Sequence, residues 1–241
     1  MTADGHVTGD GYVTGDGPDM VECAPADLGP ALAARVAGDL RAAIASGRRA
    51  SIAVPGGSTP APFLAALAGE ALDWSRVTVT LTDERCVPVD DPRSNQGLVR
   101  RHLLQGAAGQ ARFVPLHGAD LSVTDAEQAF REKLLPLHVC VLGMGDDMHT
   151  ASLFPGTPGL DRVLDPACAQ LVARVSPPGA QEERVTLTAR ALLSAAHTYL
   201  LIRGAAKRRA LDQAMQTTDR LSAPIRVIVD AARAPRVFYA A

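Results

Sequence analysis

Apolar positions along the chain keep two rhythms. Leu28, Leu32, Val36, Leu40 and Ile44 recur every fourth residue, the stripe of an amphipathic helix. Asp27 stands at its start as an N-cap, Pro30 suits its first turn, and Gly47 closes it. Elsewhere the apolar residues come in short unbroken runs, which predict strands buried on both faces: Ala50–Val54, Val139–Leu142 and residues 198–202. Residues 77–82 alternate cleanly, residues 185–188 form a shorter β-like run, and residues 225–229 read as a last strand before a short tail. Further helices are expected after Pro60, from a Ser94-Asn95 cap to Leu104, over about 125–135, and over about 205–215. Strands that alternate with helices predict an α/β fold, a doubly wound and mostly parallel sheet with helices on both faces. No Ser/Thr/Pro-rich linker divides the pattern, so residues 21–241 are expected to form one domain. Residues 1–20 read as a disordered, Gly-rich leader, whose hexad occurs only twice (HVTGDG, then YVTGDG), too few copies to stack.

Charge removes several classes of partner. The 24 basic and 26 acidic residues leave a net charge of −2, which builds no field to recruit nucleic acid or an anionic membrane. An anionic ligand would have to be gripped locally. With no apolar run of membrane length and no basic-then-apolar start, a cytoplasmic protein is expected rather than a secreted one. Cys23, Cys86, Cys140 and Cys168 are scattered without a C-x-x-C pair, which suits reduced thiols better than disulfides or zinc.

Polar residues gather at the carboxyl ends of the predicted strands, where open α/β sheets bind ligands. After Val54 comes Pro55-Gly56-Gly57-Ser58-Thr59-Pro60. Its spacing fits neither a Walker loop nor a dinucleotide fingerprint, and it reads equally as a phosphate cradle at a helix start or as a tight capped turn. After Thr82 comes Asp83-Glu84-Arg85, and after Leu142 come Gly143, Gly145, Asp146, Asp147 and His149. An imidazole can take and return a proton near neutral pH, so His149, beside carboxylates and glycines, is the candidate general base. A metal held by Asp146, Asp147 and His149 is disfavoured because no second His or Cys falls at a ligand spacing. Arg184 is basic, and so are Lys207, Arg208 and Arg209, placed where a helix start disfavours cations unless an anion binds there. Lys207 is the pointed one, for Lys133 is the only other lysine. A cradle, cations and an Asp/His pair together describe a small phosphorylated sugar as ligand.

These blocks, in order, resemble the 6-phosphogluconolactonases: Gly56 to Pro60, Thr82 to Arg85 with Val87-Pro88 and Ser94-Asn95, Gly143-Met144-Gly145 with Asp147 and His149 to Gly156, Arg184-Val185-Thr186, and Lys207. The resemblance covers the chain from about Asp27 onward. It implies the fold shared with glucosamine-6-phosphate deaminases and the hydrolysis of 6-phospho-D-glucono-1,5-lactone in the oxidative pentose phosphate pathway, with no cofactor or metal. It also implies roles. His149 would activate water, Asp147 or Asp83 would orient it or shuttle the proton, and Gly57, Ser58, Thr59, Arg184 and Lys207 would hold the phosphate. Arg85, or N–H groups of the Gly143 to Gly145 loop, would position the ring or steady the oxyanion. The implied partner is a small-molecule sugar lactone, acted on by a monomer or weak homodimer. This chain departs from the family at Met148, where the family has Gly, so either a positive φ or an obstructed site is expected there. His138 also stands where the family commonly has Asp. The alternatives are a deaminase/isomerase, which in its family carries an Asn-Glu pair after the His, or a sugar-phosphate sensor without turnover.

Overall fold

The elements run, in chain order, β1 (Met20–Glu22), α1 (Leu28–Ala45), β2 (Ala50–Val54), α2 (Ala61–Ala68), β3 (Val77–Leu81), β4 (Asp83–Arg85), α3 (Asn95–His102), β5 (Arg112–Phe113), α4 (Val123–Lys133), β6 (Val139–Leu142), α5 (Leu160–Leu164), β7 (Val172–Val175), β8 (Arg184–Leu187), α6 (Ala189–Leu192), β9 (His197–Arg203), α7 (Ala205–Met215), α8 (Arg226–Val229) and β10 (Arg236–Ala240). They come from a computed structural model that describes residues 18–241. The hexads lie outside the described residues, as does the leader apart from residues 18–20. Met20 is already paired, opposite Val237 in β10.

Seven strands form one sheet in the order β1-β10-β9-β6-β2-β3-β5, and every neighbouring pair is parallel. β2, β3 and β6 are buried along their whole length, as unbroken apolar runs demand of a sheet covered on both faces. The chain leaves β2 for β3 on one side and returns to β6 on the other. That reversal is the topological switch point, where such sheets open a crevice beyond their carboxyl ends. α1 packs on α2, β2, β6 and β10, α2 on α3, and α6 on α5 and α8, two groups that the right-handed crossover rule assigns to opposite faces of the sheet. Leu28, Leu32, Val36 and Leu40 are buried as the stripe predicts. Asp27 is the N-cap residue but makes no side-chain capping bond.

Three strands depart from the expected picture. Residues 225–229 are not a strand: they hold α8, whose Val227, Ile228 and Val229 are all buried. A helix of one turn is too short to show a period in sequence, and its three buried apolar residues read as well as a strand. The last strand is β10, between β9 and β1, in what reads as a tail. The third departure is Asp83-Glu84-Arg85, which does not cap the strand before it but forms β4, in a separate antiparallel sheet ordered β4-β8-β7. Its register sets Arg85 opposite Arg184 and Asp83 opposite Thr186, so it brings residues far apart in the chain to one place. None of the four cysteines is in a disulfide, and burial pushes the Cys140 thiol up to about 12. No helix of the described residues is long and apolar enough to cross a membrane.

Candidate active site

A cleft of about 400 Å³ opens beyond the carboxyl ends of β2, β6 and β9, with β4 and β8 along one wall. Gly57, Ser58, Thr59, Asp83, Arg85, His149, Arg184 and Lys207 all line it. Asp147 does not. It stands behind His149, its Oδ1 2.5 Å from the imidazole Nδ1 and accepting from the His149 backbone N–H at 3.3 Å.

The loop that delivers this pair is locked by its own backbone. Gly145 donates to the carbonyl of His149 at 2.9 Å, Met148 donates to that of Gly145 at 3.1 Å, and the Thr150 hydroxyl donates to Gly143 O at 2.9 Å. Gly145 has a steric reason to be glycine: a Cβ there would lie 2.1 Å from His149 Nδ1 and 2.2 Å from Asp147 Oδ1. So tight a turn needs a left-handed residue, which is Met148 at φ 65°. Of the two expectations for that position, the positive φ is the one found. The Met148 side chain packs on the core and is absent from the cleft lining, and its carbonyl accepts from Ile225 N at 3.0 Å, tying the loop to α8. A side chain in this region costs about 1 kcal/mol, offset here by packing.

With a carboxylate at Nδ1, the imidazole carries its proton there and keeps an unprotonated Nε2. Such a ring can accept a proton at Nε2. Of the two aspartates expected to assist His149, Asp147 touches it. Asp83 is buried and accepts instead from Ser152 Oγ at 2.6 Å and from Thr82 Oγ1 at 3.3 Å.

The cations come from two directions. Opposed in the small sheet, Arg85 and Arg184 face the cleft together. Burial, then the charge of Arg85, pushes the Arg184 guanidinium below its ordinary value, with Asp83 and Glu182 acting the other way. Arg184 also pairs with Glu182 at 3.3 Å. Two like charges held this close are relieved by a bound polyanion. From the other side, Lys207 reaches in from the first turn of α7 and meets Asp146 at 3.2 Å. Its neighbour Arg208 turns away to Glu22 and Asp212, so that of the two only Lys207 lines the cleft.

Glu84, buried between these walls, caps α3: it accepts from Asn95 N at 2.8 Å, Gln96 N at 2.7 Å and Ser94 Oγ at 3.1 Å. It ties the small sheet to α3 and does not line the cleft. Asn95 Nδ2 donates to Asp83 O at 2.8 Å, and a Cβ on Gly56 would fall 1.8 Å from Asn95 Oδ1, so Gly56 makes room for this brace. Gly57 is at φ +98°, open to glycine alone at little cost. The expected N–H donors lose one member, because that of Gly145 is spent on His149 O. Phe154, within the His149 to Gly156 block, and Arg203 had been given no role, and both are in the lining. Arg203, last residue of β9 and next to Gly204, had the signal of a strand-end cation.

The family model described as glucosamine-6-phosphate isomerases/6-phosphogluconolactonase matches residues 24–237. A 6-phosphogluconolactonase of Pseudomonas aeruginosa is 46% identical over 205 residues, 83% of this chain and 86% of that protein. The crystal structure of a 6-phosphogluconolactonase from Shewanella baltica matches with a TM-score of 0.88 at 34% identity, over 92% of this chain and 97% of that one. A monomeric glucosamine-6-phosphate deaminase, 17% identical with a TM-score of 0.75 over 92% of this chain and 96% of its own, shares the fold.

Proposed function

The chain belongs to the glucosamine-6-phosphate isomerase/6-phosphogluconolactonase family, and from that premise we propose that it hydrolyses 6-phospho-D-glucono-1,5-lactone to 6-phospho-D-gluconate in the oxidative pentose phosphate pathway. The observation that carries the proposal is the 2.5 Å contact of Asp147 with His149 in a cleft that also holds Arg85, Arg184 and Lys207. His149 Nε2 takes a proton from water as the water oxygen attacks C1 of the lactone. The carbonyl π electrons move onto oxygen, and Arg85 steadies that charge. When the tetrahedral intermediate collapses, the C1–O5 bond breaks and the imidazolium returns the proton to O5. Asp147 holds the imidazole in register and stabilises its protonated form. Lys207, Arg184 and the Gly57 to Thr59 turn bind the 6-phosphate, supplying affinity away from the reacting carbon. A lactone is an activated ester, so acid–base chemistry and positioning suffice without a metal or cofactor.

Met148 lies outside the cleft lining, which removes the main ground for a sensor without turnover. The protein is proposed to act in the cytoplasm on this small molecule, as a monomer or weak homodimer. Acid release from freshly made lactone, measured above spontaneous opening, is expected to rise in proportion to enzyme. A rate equal to the spontaneous one, or ammonia release from glucosamine 6-phosphate in its place, would overturn the proposal.

A further inference from the structure

One contact in the cleft has no part in the chemistry so far described. The Phe154 ring stacks on the His149 imidazole, with centroids 3.8 Å apart and planes inclined by 25°. Beyond it, the Arg184 Cζ lies 5.9 Å from the Phe154 centroid. The phenyl ring therefore stands next to both the general base and a phosphate-binding cation. Its own place is set by backbone on both sides: Leu153 N donates to Thr150 O at 3.0 Å and Thr157 N to Phe154 O at 3.1 Å, with Gly156 turning the chain at φ 76°. The ring is delivered to the imidazole by the same loop that carries the imidazole.

We propose that Phe154 is a positioning residue, fixing the plane of the His149 ring and stabilising its protonated form through the aromatic face. The Asp147 bond restrains one nitrogen but leaves the ring free to tilt about the line from Nδ1 to the carboxylate. A stacked phenyl removes that freedom. When His149 takes a proton it becomes a cation over a π face, a favourable contact. Asp147 supports the imidazolium at its edge and Phe154 supports it at its face.

The kinetic part of this inference rests on the lactonase proposal; the contact itself does not. The test compares Phe154→Leu, which keeps bulk and loses the π face, with Phe154→Tyr, which keeps both; Phe154→Met replaces the leucine should that variant fold poorly. In the leucine variant kcat is expected to fall about tenfold from lost alignment, with KM within about twofold. The acid limb of its pH–rate profile should move to lower pH, because the imidazolium has lost support. The tyrosine variant should stay within about threefold of the parent. In the enzyme without substrate, the NMR titration midpoint of the His149 ring should drop by about half a pH unit in Phe154→Leu and hold in Phe154→Tyr. A leucine variant with parental kcat and an unmoved His149 titration would overturn the inference, and so would a loss confined to KM, which marks a substrate contact. Should the parent fail to open the lactone, the functional proposal falls, and the NMR comparison still decides the role of Phe154.

Discussion

Two histidines bracket β6 and meet opposite fates. At the carboxyl rim, His149 gives Nδ1 to a carboxylate and lines an open cleft. At the amino rim, His138 accepts the backbone N–H of Ser51 at its Nδ1, at 3.2 Å, while its Nε2 is buried with no partner among the described residues. In one, Nδ1 is the donor and Nε2 is left for chemistry. In the other, Nδ1 is the acceptor, so the proton sits on an enclosed Nε2 and the ring serves as a strut between β2 and β6. The residue type is the same; the partner at one nitrogen decides whether the ring offers its other nitrogen to the cleft or braces two strands.

The sharpest test of the comparison is to remove each ring. His149→Ala is expected to lower lactone hydrolysis by about a thousandfold, the scale of a lost general base, while binding of 6-phosphogluconate by calorimetry stays near parental. Equal rates in variant and parent would strip His149 of its role.

Next in size is an indirect strike. Gly145→Ala places a methyl where the Asp147–His149 pair sits, and an angstrom of displacement there should cost about a hundredfold in kcat. Gly143→Ala is the control, since a Cβ at Gly143 meets nothing within 4 Å. Both variants should melt within a few degrees of the parent, and equal kcat in the two would mean that the pair tolerates movement.

The carboxyl rim was the more legible of the two because its signals are local. Glycines, two aspartates and a histidine follow one apolar run, and the loop they form is closed by bonds among those same residues. His149, Lys207 and the Gly57 to Thr59 turn could be nominated from strand ends alone. Asp83 could be nominated too, yet its partner Ser152 could not, being a contact between residues far apart in the chain. The pairing of Arg85 with Arg184 was likewise hidden, since it depends on a three-stranded sheet whose strands are short and whose middle strand carries only residues 184–187. Residues 225–229 misled for another reason: a run of Ile and Val suits a buried helix turn as well as a strand, and only the bonds of Val229 N to Ile225 O and of Asp230 N to Arg226 O show which it is. Met148 itself was read to a fork, strain or obstruction, and the φ angle chose strain.

A smaller effect separates the two adjacent aspartates of the loop after β6. Asp147 serves the imidazole, whereas Asp146, with a side chain 70% exposed, lies on Lys207 where a phosphate would bind. Asp146→Asn should strengthen inhibition by inorganic phosphate about threefold, a modest gain because solvent screens an exposed pair. The gain should shrink in high salt, and kcat should not change. A loss of kcat without tighter phosphate binding would assign Asp146 to the chemistry instead.

The smallest effect is at the amino rim and concerns stability rather than rate. Burial, followed by the nearby charges of Arg48 and His197, lowers the His138 pKa from its ordinary value. The folded protein therefore resists a proton that the unfolded chain accepts, and the unfolded state binds more protons as acid is added. The stability that His138 contributes is full above about pH 6.5, the ordinary histidine value, and is lost as pH falls through the lowered one. Protonation would also turn Nδ1 into a donor and break its bond with Ser51 N–H. His138→Asn keeps an acceptor for that N–H and removes the titration. Its melting temperature should fall less than the parent's between pH 7.5 and 5.5, with lactone hydrolysis at neutral pH unchanged. Parallel melting curves across that interval would show that the strut does not feel acid, and the contrast between the two histidines would then rest on geometry alone.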